Sequence, residues 1–119
     1  MVSLTSFRNA MRGLRAVVSR ERNARIHIVF AVMALIASLL LRIDLGGVAL
    51  ISAMIALVFF AEVINTAIER TLDLIATENN QIVKLVKDMT AGAVLVTASA
   101  AVLVAICVFG PPIFRLLGY

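Results

Sequence analysis

Cysteine is almost missing from this chain: Cys107 stands alone inside an apolar run. One thiol builds no disulfide framework and offers none of the paired spacings that hold zinc, so it reads as a small core or lipid-facing side chain. Histidine is equally scarce, and His27, one turn inside the first apolar segment, lacks the partner a metal role needs; it reads as an interhelical hydrogen bonder or a headgroup contact. Charge is thin as well. Only 15% of the 119 residues are charged, against 62% hydrophobic, and the mean hydropathy of +1.06 lies far above what a soluble domain of this length needs for its core. The opening residues MVSLTSFRNAMRG have a charged start but neither an apolar h-region nor a small-residue cleavage site, so no removable signal peptide is expected and the mature chain is expected to start near Met1.

What is abundant is apolar sequence in three blocks: Ile26–Leu41, Leu45 to about Ile68, and about Thr90–Phe109. The first is shorter than the roughly 20 residues that cross the hydrocarbon, but Arg25 and Arg42 can snorkel and the flanks can thin the bilayer. Asp44-Leu-Gly-Gly47 predicts a tight turn between the first two blocks, and Gly110-Pro-Pro112 predicts the end of the third. Thr77-Glu-Asn-Asn-Gln81 reads as a polar break, followed by a short amphipathic run over Ile82–Lys87. Upstream, Leu4, Phe7, Met11, Leu14 and Val18 repeat at helical spacing, with Arg8, Arg12, Arg15 and Arg20 on other faces. The expected fold is an all-α membrane protein: one domain over 1–119, with an amphipathic interfacial helix over 1–22 and three transmembrane helices at about 26–43, 45–75 and 82–109.

A net charge of +4 in a soluble chain would point to nucleic acid. Here the basic residues flank apolar spans, where they set topology and meet anionic lipid. With the N-terminus in the cytoplasm, Arg8, Arg12, Arg15, Arg20, Arg22, Arg25, Arg70, Lys84 and Lys87 lie inside, and only Arg42 and Arg115 lie outside.

The run FAEVINTAIERTLD, Phe60–Asp73, places three carboxylates and an amide at the end of the second span. On a helix, Glu62, Asn65, Glu69 and Asp73 share one stripe with Thr66 beside it. A charge in hydrocarbon costs at least roughly 2.5–3.5 kcal/mol, so this stripe must face the bundle interior, a metal or a water-filled cleft. Asn65 alone would pass as interhelical glue. Three carboxylates along one face need cations, either Arg and Lys side chains or Mg²⁺ with its preference for hard oxygen ligands. Glu62, the deepest, is best placed to act as a base toward a hydroxyl. Lys87-Asp88 adds a charged pair at the same level, equally readable as a snorkelling lysine with a dipole-complementing aspartate. Glu21 reads as a surface charge on the same side as Glu69. Neither a Gly-x-x-x-x-Gly-Lys-Ser/Thr loop nor a kinase-type glycine loop occurs.

Glu62-Val-Ile-Asn-Thr-Ala-Ile-Glu69, Asp73 and Lys87-Asp-Met-Thr-Ala-Gly-Ala-Val94, with Phe7, Gly13-Leu-Arg15 and Glu21-Arg-Asn-Ala-Arg-Ile-His27, closely resemble the small prokaryotic diacylglycerol kinase and undecaprenol kinase family. The resemblance implies a homotrimeric enzyme of the bacterial plasma membrane, with active sites at the cytoplasmic surface shared between protomers. It transfers the γ-phosphate of ATP to a lipid alcohol. By resemblance, Glu62 is the catalytic base, Glu21 and Glu69 hold Mg²⁺ against the phosphates, and Asn65 and Lys87 position the phosphates. Gly13, Asp73, Glu78 and Asp88 match positions lining the nucleotide site. Where many members have Glu-Tyr-His or similar, this chain has Glu78-Asn-Asn80, while its Glu21–His27 run is more like the undecaprenol kinase branch. Two other classes fit parts of the pattern: a small proton-coupled transporter using an intramembrane Glu, and a structural subunit using the stripe for assembly. Carboxylates gathered near one face, without an inverted repeat, count against the transporter.

Overall fold

In the computed structural model, which describes residues 3–76 and 79–119, the chain forms four helices: α1 (Leu4–Arg20), α2 (Arg22–Leu40), α3 (Leu45–Ile75) and α4 (Gln81–Leu116). Three of them, α2, α3 and α4, are long and apolar enough to cross a membrane. At 1.5 Å per residue they extend about 28, 46 and 54 Å, against a hydrocarbon layer of roughly 30 Å. The surplus length of α3 and α4 therefore carries their polar ends beyond the bilayer core. Helix α3 is central, packing against α4, α2 and, lightly, α1.

Ser3 starts α1, its Oγ accepting from the Ser6 N–H at 3.2 Å, as a helix N-cap does. The helix stops at Glu21, whose backbone is extended at φ −108° and ψ 116°. This elbow is held from both sides. The Glu21 N–H donates to Val17 O at 2.8 Å, and Arg25 Nη1 on α2 donates to the terminal α1 carbonyls of Val18 and Ser19 at 3.0 and 3.1 Å. A guanidinium at a helix C-terminus satisfies orphan carbonyls and complements the dipole. Glu21 is thereby fixed between two helices, not carried on a loose surface.

The link between α2 and α3 lies earlier than the sequence pattern predicts. Leu41–Asp44 make the turn, with Arg42 at φ 53°, and Asp44 is the N-cap of α3, its Oδ1 accepting from the Gly47 N–H at 2.8 Å. Gly46 and Gly47 thus belong to the helix, because the aspartate cap satisfies donors that the turn would otherwise have left open. Gly47 is needed for close approach. A Cβ there would collide with Ile43 Cγ2 and sit 3.3 Å from Val108 Cγ1 of α4.

Helix α4 also departs from expectation, running through Gly110-Pro-Pro112 to Leu116. A glycine ends a helix by adopting the left-handed conformation, and among the described glycines only Gly118 does so, at φ 87°. The prolines remove two donors, but bonding resumes beyond them and closes in a Schellman pattern. Tyr119 N–H reaches Phe114 O at 3.1 Å, and Gly118 N–H reaches Arg115 O at 3.3 Å.

Little of the apolar surface is covered within one chain. Among the described residues Val17, Ala24, Ile51 and Val58 are the buried apolar ones, and α4 has no buried residue. Side chains such as Leu95, Val96, Leu103 and Ile106 face outward at more than half exposure, which suits a lipid environment and not water. Cys107 is likewise exposed.

Candidate functional site

Glu62 is the most completely buried large side chain described, at 2% exposure. It lies on the face of α3 turned toward α2, and Thr66, one turn on, is buried with it. Glu62 Oε2 and Thr66 Oγ1 have no hydrogen-bond partner among the described residues. Opposite Glu62, His27 of α2 brings Nε2 to 3.7 Å from Oε2, beyond hydrogen-bond length. A buried carboxylate oxygen without a donor is costly and calls for an explanation.

Around it the other carboxylates gather. Glu21 and Glu69 both lie within electrostatic reach of Glu62. Glu21 is held at the α1–α2 elbow, and Glu69 lies two helical turns along α3, roughly 10 Å up the axis, at intermediate burial. Arg70 reaches across so that its Nη2 donates to Glu21 Oε1 at 2.8 Å. Further along the stripe, Asp73 Oδ1 accepts from Lys87 Nζ of α4 at 2.6 Å. Cationic side chains thus neutralise Glu21 and Asp73, while Glu69 has no ion-pair partner among the described residues.

The remaining sequence-predicted positions are dispersed. Asn65 sits half-buried on α3 beside the carboxylates. Asp88 turns away to pair with Lys84 at 2.9 Å, both being well exposed. Gly13 is exposed at mid-α1, with nothing within 4 Å of the place a Cβ would take. Glu78 lies outside the described residues. Asn80 caps α4, its Oδ1 accepting from the Ile82 and Val83 N–H groups at 2.9 and 3.3 Å, so that oxygen is already engaged.

Two participants carried no such weight in the sequence. Arg70 registered only as a topology-setting charge, and His27 as one of two generic alternatives. Their partners lie 49 and 35 positions away along the chain, and the only local hint for Arg70 is its place next to Glu69.

The oxygens of Glu21, Glu62 and Glu69 are hard donors on neighbouring elements. Among the described residues they do not close into a cluster of three ligands. Such an open, oxygen-only arrangement suits Mg²⁺, which usually binds through one or two carboxylates plus substrate phosphates.

The sequence profile of the prokaryotic diacylglycerol kinases matches residues 8–109. The chain is similar to the diacylglycerol kinase of Synechocystis sp., at 37% identity over 115 residues, covering 96% of this chain and 66% of that protein. It is also similar to the undecaprenol kinase of Bacillus subtilis, at 35% identity over 106 residues, covering 89% of this chain and 86% of that protein. The matched residues run from α1 almost to the end of α4 and include Glu21, Glu62, Glu69 and Lys87. By that span and those identities, this chain is a member of the prokaryotic diacylglycerol kinase family.

Proposed function

We propose that this chain is an ATP-dependent lipid kinase, transferring the γ-phosphate of ATP to the hydroxyl of a membrane lipid alcohol, undecaprenol or diacylglycerol. The observation that carries the reading is the buried Oε2 of Glu62, without a hydrogen-bond partner among the described residues, where the apolar part of α3 meets its acidic stripe. A kinase acting on a lipid needs a base that meets an alcohol at the membrane surface and phosphate-binding groups just beyond it. The order along α3, Glu62 then Asn65, Glu69 and Asp73, provides that succession.

Phosphoryl transfer requires mainly positioning and neutralisation of charge. The lipid hydroxyl oxygen attacks the γ-phosphorus, the bond from that phosphorus to the bridging oxygen breaks, and ADP leaves. Glu62 takes the hydroxyl proton. Glu21 and Glu69 would hold Mg²⁺, which supplies neutralising charge to the phosphates. Lys87, tethered by Asp73, and Asn65 orient the phosphate oxygens.

Helix α1 lies in the cytoplasmic interface in this reading. Its Leu4, Phe7, Met11 and Leu14 are exposed on one side, a pattern that favours insertion among headgroups. The N-terminus is cytoplasmic and the enzyme is integral to the bacterial plasma membrane, as the distribution of Arg and Lys favours. Assembly into a homotrimer with shared sites is part of this reading, and the uncovered surface of α4 leaves room for other copies as well as for lipid. Incubating the purified protein with Mg²⁺, γ-labelled ATP and either lipid tests the reading. Label recovered in the lipid supports it, and label confined to ATP and inorganic phosphate contradicts it.

A further inference from the structure

We propose that Thr66 is a positioning residue for Glu62: its hydroxyl donates to the Glu62 carboxylate and holds it in the orientation that receives the proton of the substrate alcohol. This deepens the lipid-kinase reading and rests on it.

Hydroxyls inside apolar helices commonly bond back to their own helix. Ser38 of α2, Thr71 of α3, and Thr90 and Ser99 of α4 do so, donating to carbonyls three or four residues back at 2.8–2.9 Å. Thr66 is only 6% exposed, yet its Oγ1 has no hydrogen-bond partner among the described residues. Its donor is therefore not engaged by the backbone. A buried hydroxyl without a partner carries a desolvation cost that a methyl group in the same place would not, so its presence calls for an acceptor.

One acceptor lies a single turn away. Glu62 and Thr66 stand at i and i+4 on one face of α3, a spacing that brings Cβ atoms to about 5–6 Å. The Thr66 side chain tilts toward the helix N-terminus, hence toward Glu62, and rotation of the longer glutamate stem closes the gap. The two groups are complementary, since a carboxylate accepts and a hydroxyl donates. His27 does not satisfy Glu62, its Nε2 standing at 3.7 Å. Along α3, Thr66 lies between two contacts to neighbouring elements, Glu62 with His27 before it and Arg70 with Glu21 after it. A β-branched side chain, stiff at χ1, is there a fixed point against which the flexible glutamate is aimed. With one lone pair occupied by Thr66, the carboxylate keeps others for the substrate proton. Once that proton arrives, the oxygen that does not carry it still accepts from Thr66.

The test uses the full chain in mixed micelles with undecaprenol and, separately, dioleoylglycerol, varying lipid and MgATP independently. Thr66→Val exchanges the hydroxyl for a methyl of similar volume; Thr66→Ser keeps the hydroxyl. Loss of one hydrogen bond to a charged group predicts about a tenfold fall in kcat, with the KM for lipid and for MgATP unchanged. Thr66→Ser retains most of the kcat. Because Thr66 acts through Glu62, adding Thr66→Val to Glu62→Gln brings no further loss. An unchanged kcat in Thr66→Val overturns the assignment. So does a rise in either KM that accounts for the loss, a Thr66→Ser variant no better than Thr66→Val, or a second tenfold loss on top of Glu62→Gln. If Thr66→Val does not fold, Thr66→Ala carries the same expectations and the same contradictions. Absence of turnover by the unsubstituted protein with either lipid removes the kinase reading itself; turnover indifferent to Thr66→Val removes only this inference.

Discussion

Arg70 Nη2 donates to Glu21 Oε1 at 2.8 Å across 49 positions of sequence, tying the end of α3 to the elbow between α1 and α2. The arginine side chain is 55% exposed and the glutamate 23%, so the pair contributes little to stability, on the order of 1 kcal/mol or less. Its effect is on charge. If Glu21 holds Mg²⁺ as proposed, Arg70 competes with the ion for it, so Arg70→Met should lower the Mg²⁺ concentration for half-maximal turnover, whereas Glu21→Gln should raise it about tenfold or more. A magnesium titration of each variant checks this, and shifts in the same direction would break the argument.

Glu62→Gln keeps the volume of the side chain and removes its ability to accept a proton. Turnover should fall by about 10²–10⁴, the range for loss of a positioned general base. Nucleotide binding, measured by fluorescence with an ATP analogue, should stay within severalfold of the unsubstituted protein. Near-normal turnover would take Glu62 out of its assigned role.

Lys87 is held by Asp73 at 2.6 Å, both groups partly exposed. If the ammonium serves phosphate, Lys87→Met should raise the KM for ATP by about tenfold, in line with a charge-assisted hydrogen bond of roughly 1.5–3 kcal/mol. Thermal stability should change little, since a solvent-accessible pair contributes about 0–1 kcal/mol. A large fall in melting temperature with an unaltered KM would make the pair a structural clasp.

Adjacent glycines give a contrast independent of catalysis. Gly47→Ala places a methyl against Ile43, 3.0 Å from Asp44 Oδ1 and 3.3 Å from Val108, and should destabilise the fold by about 1–3 kcal/mol. At Gly46 the nearest atom, Asp44 Oδ1, is 3.9 Å away. Gly46→Ala should be neutral or stabilising by up to about 1 kcal/mol. Thermal unfolding in detergent distinguishes the two.

The spans were legible because a membrane helix is written as a long apolar run, and the shared face of Glu62, Asn65, Glu69 and Asp73 because helical geometry fixes spacing. Their neutralising partners were not. A cationic side chain or a metal ion would meet the same electrostatic demand on Glu21, and only tertiary packing brings Arg70 to it. The approach of His27 to Glu62 likewise depends on how α2 packs against α3. The Gly110-Pro-Pro112 stop signal failed because Gly110 stays right-handed, a backbone choice that residue identity does not dictate. The Asp44-Leu-Gly-Gly47 turn was misplaced because Asp44 can initiate a helix as readily as a turn.

The central claim is that Glu62 and its neighbouring carboxylates serve phosphoryl transfer to a membrane alcohol. ATP consumption by the purified protein in micelles with Mg²⁺, compared between undecaprenol, diacylglycerol and no lipid, tests it most directly. Turnover that depends on one of these lipids is the predicted result. Protein shown to be folded that consumes no ATP with either lipid, or consumes it equally without lipid, would contradict the account.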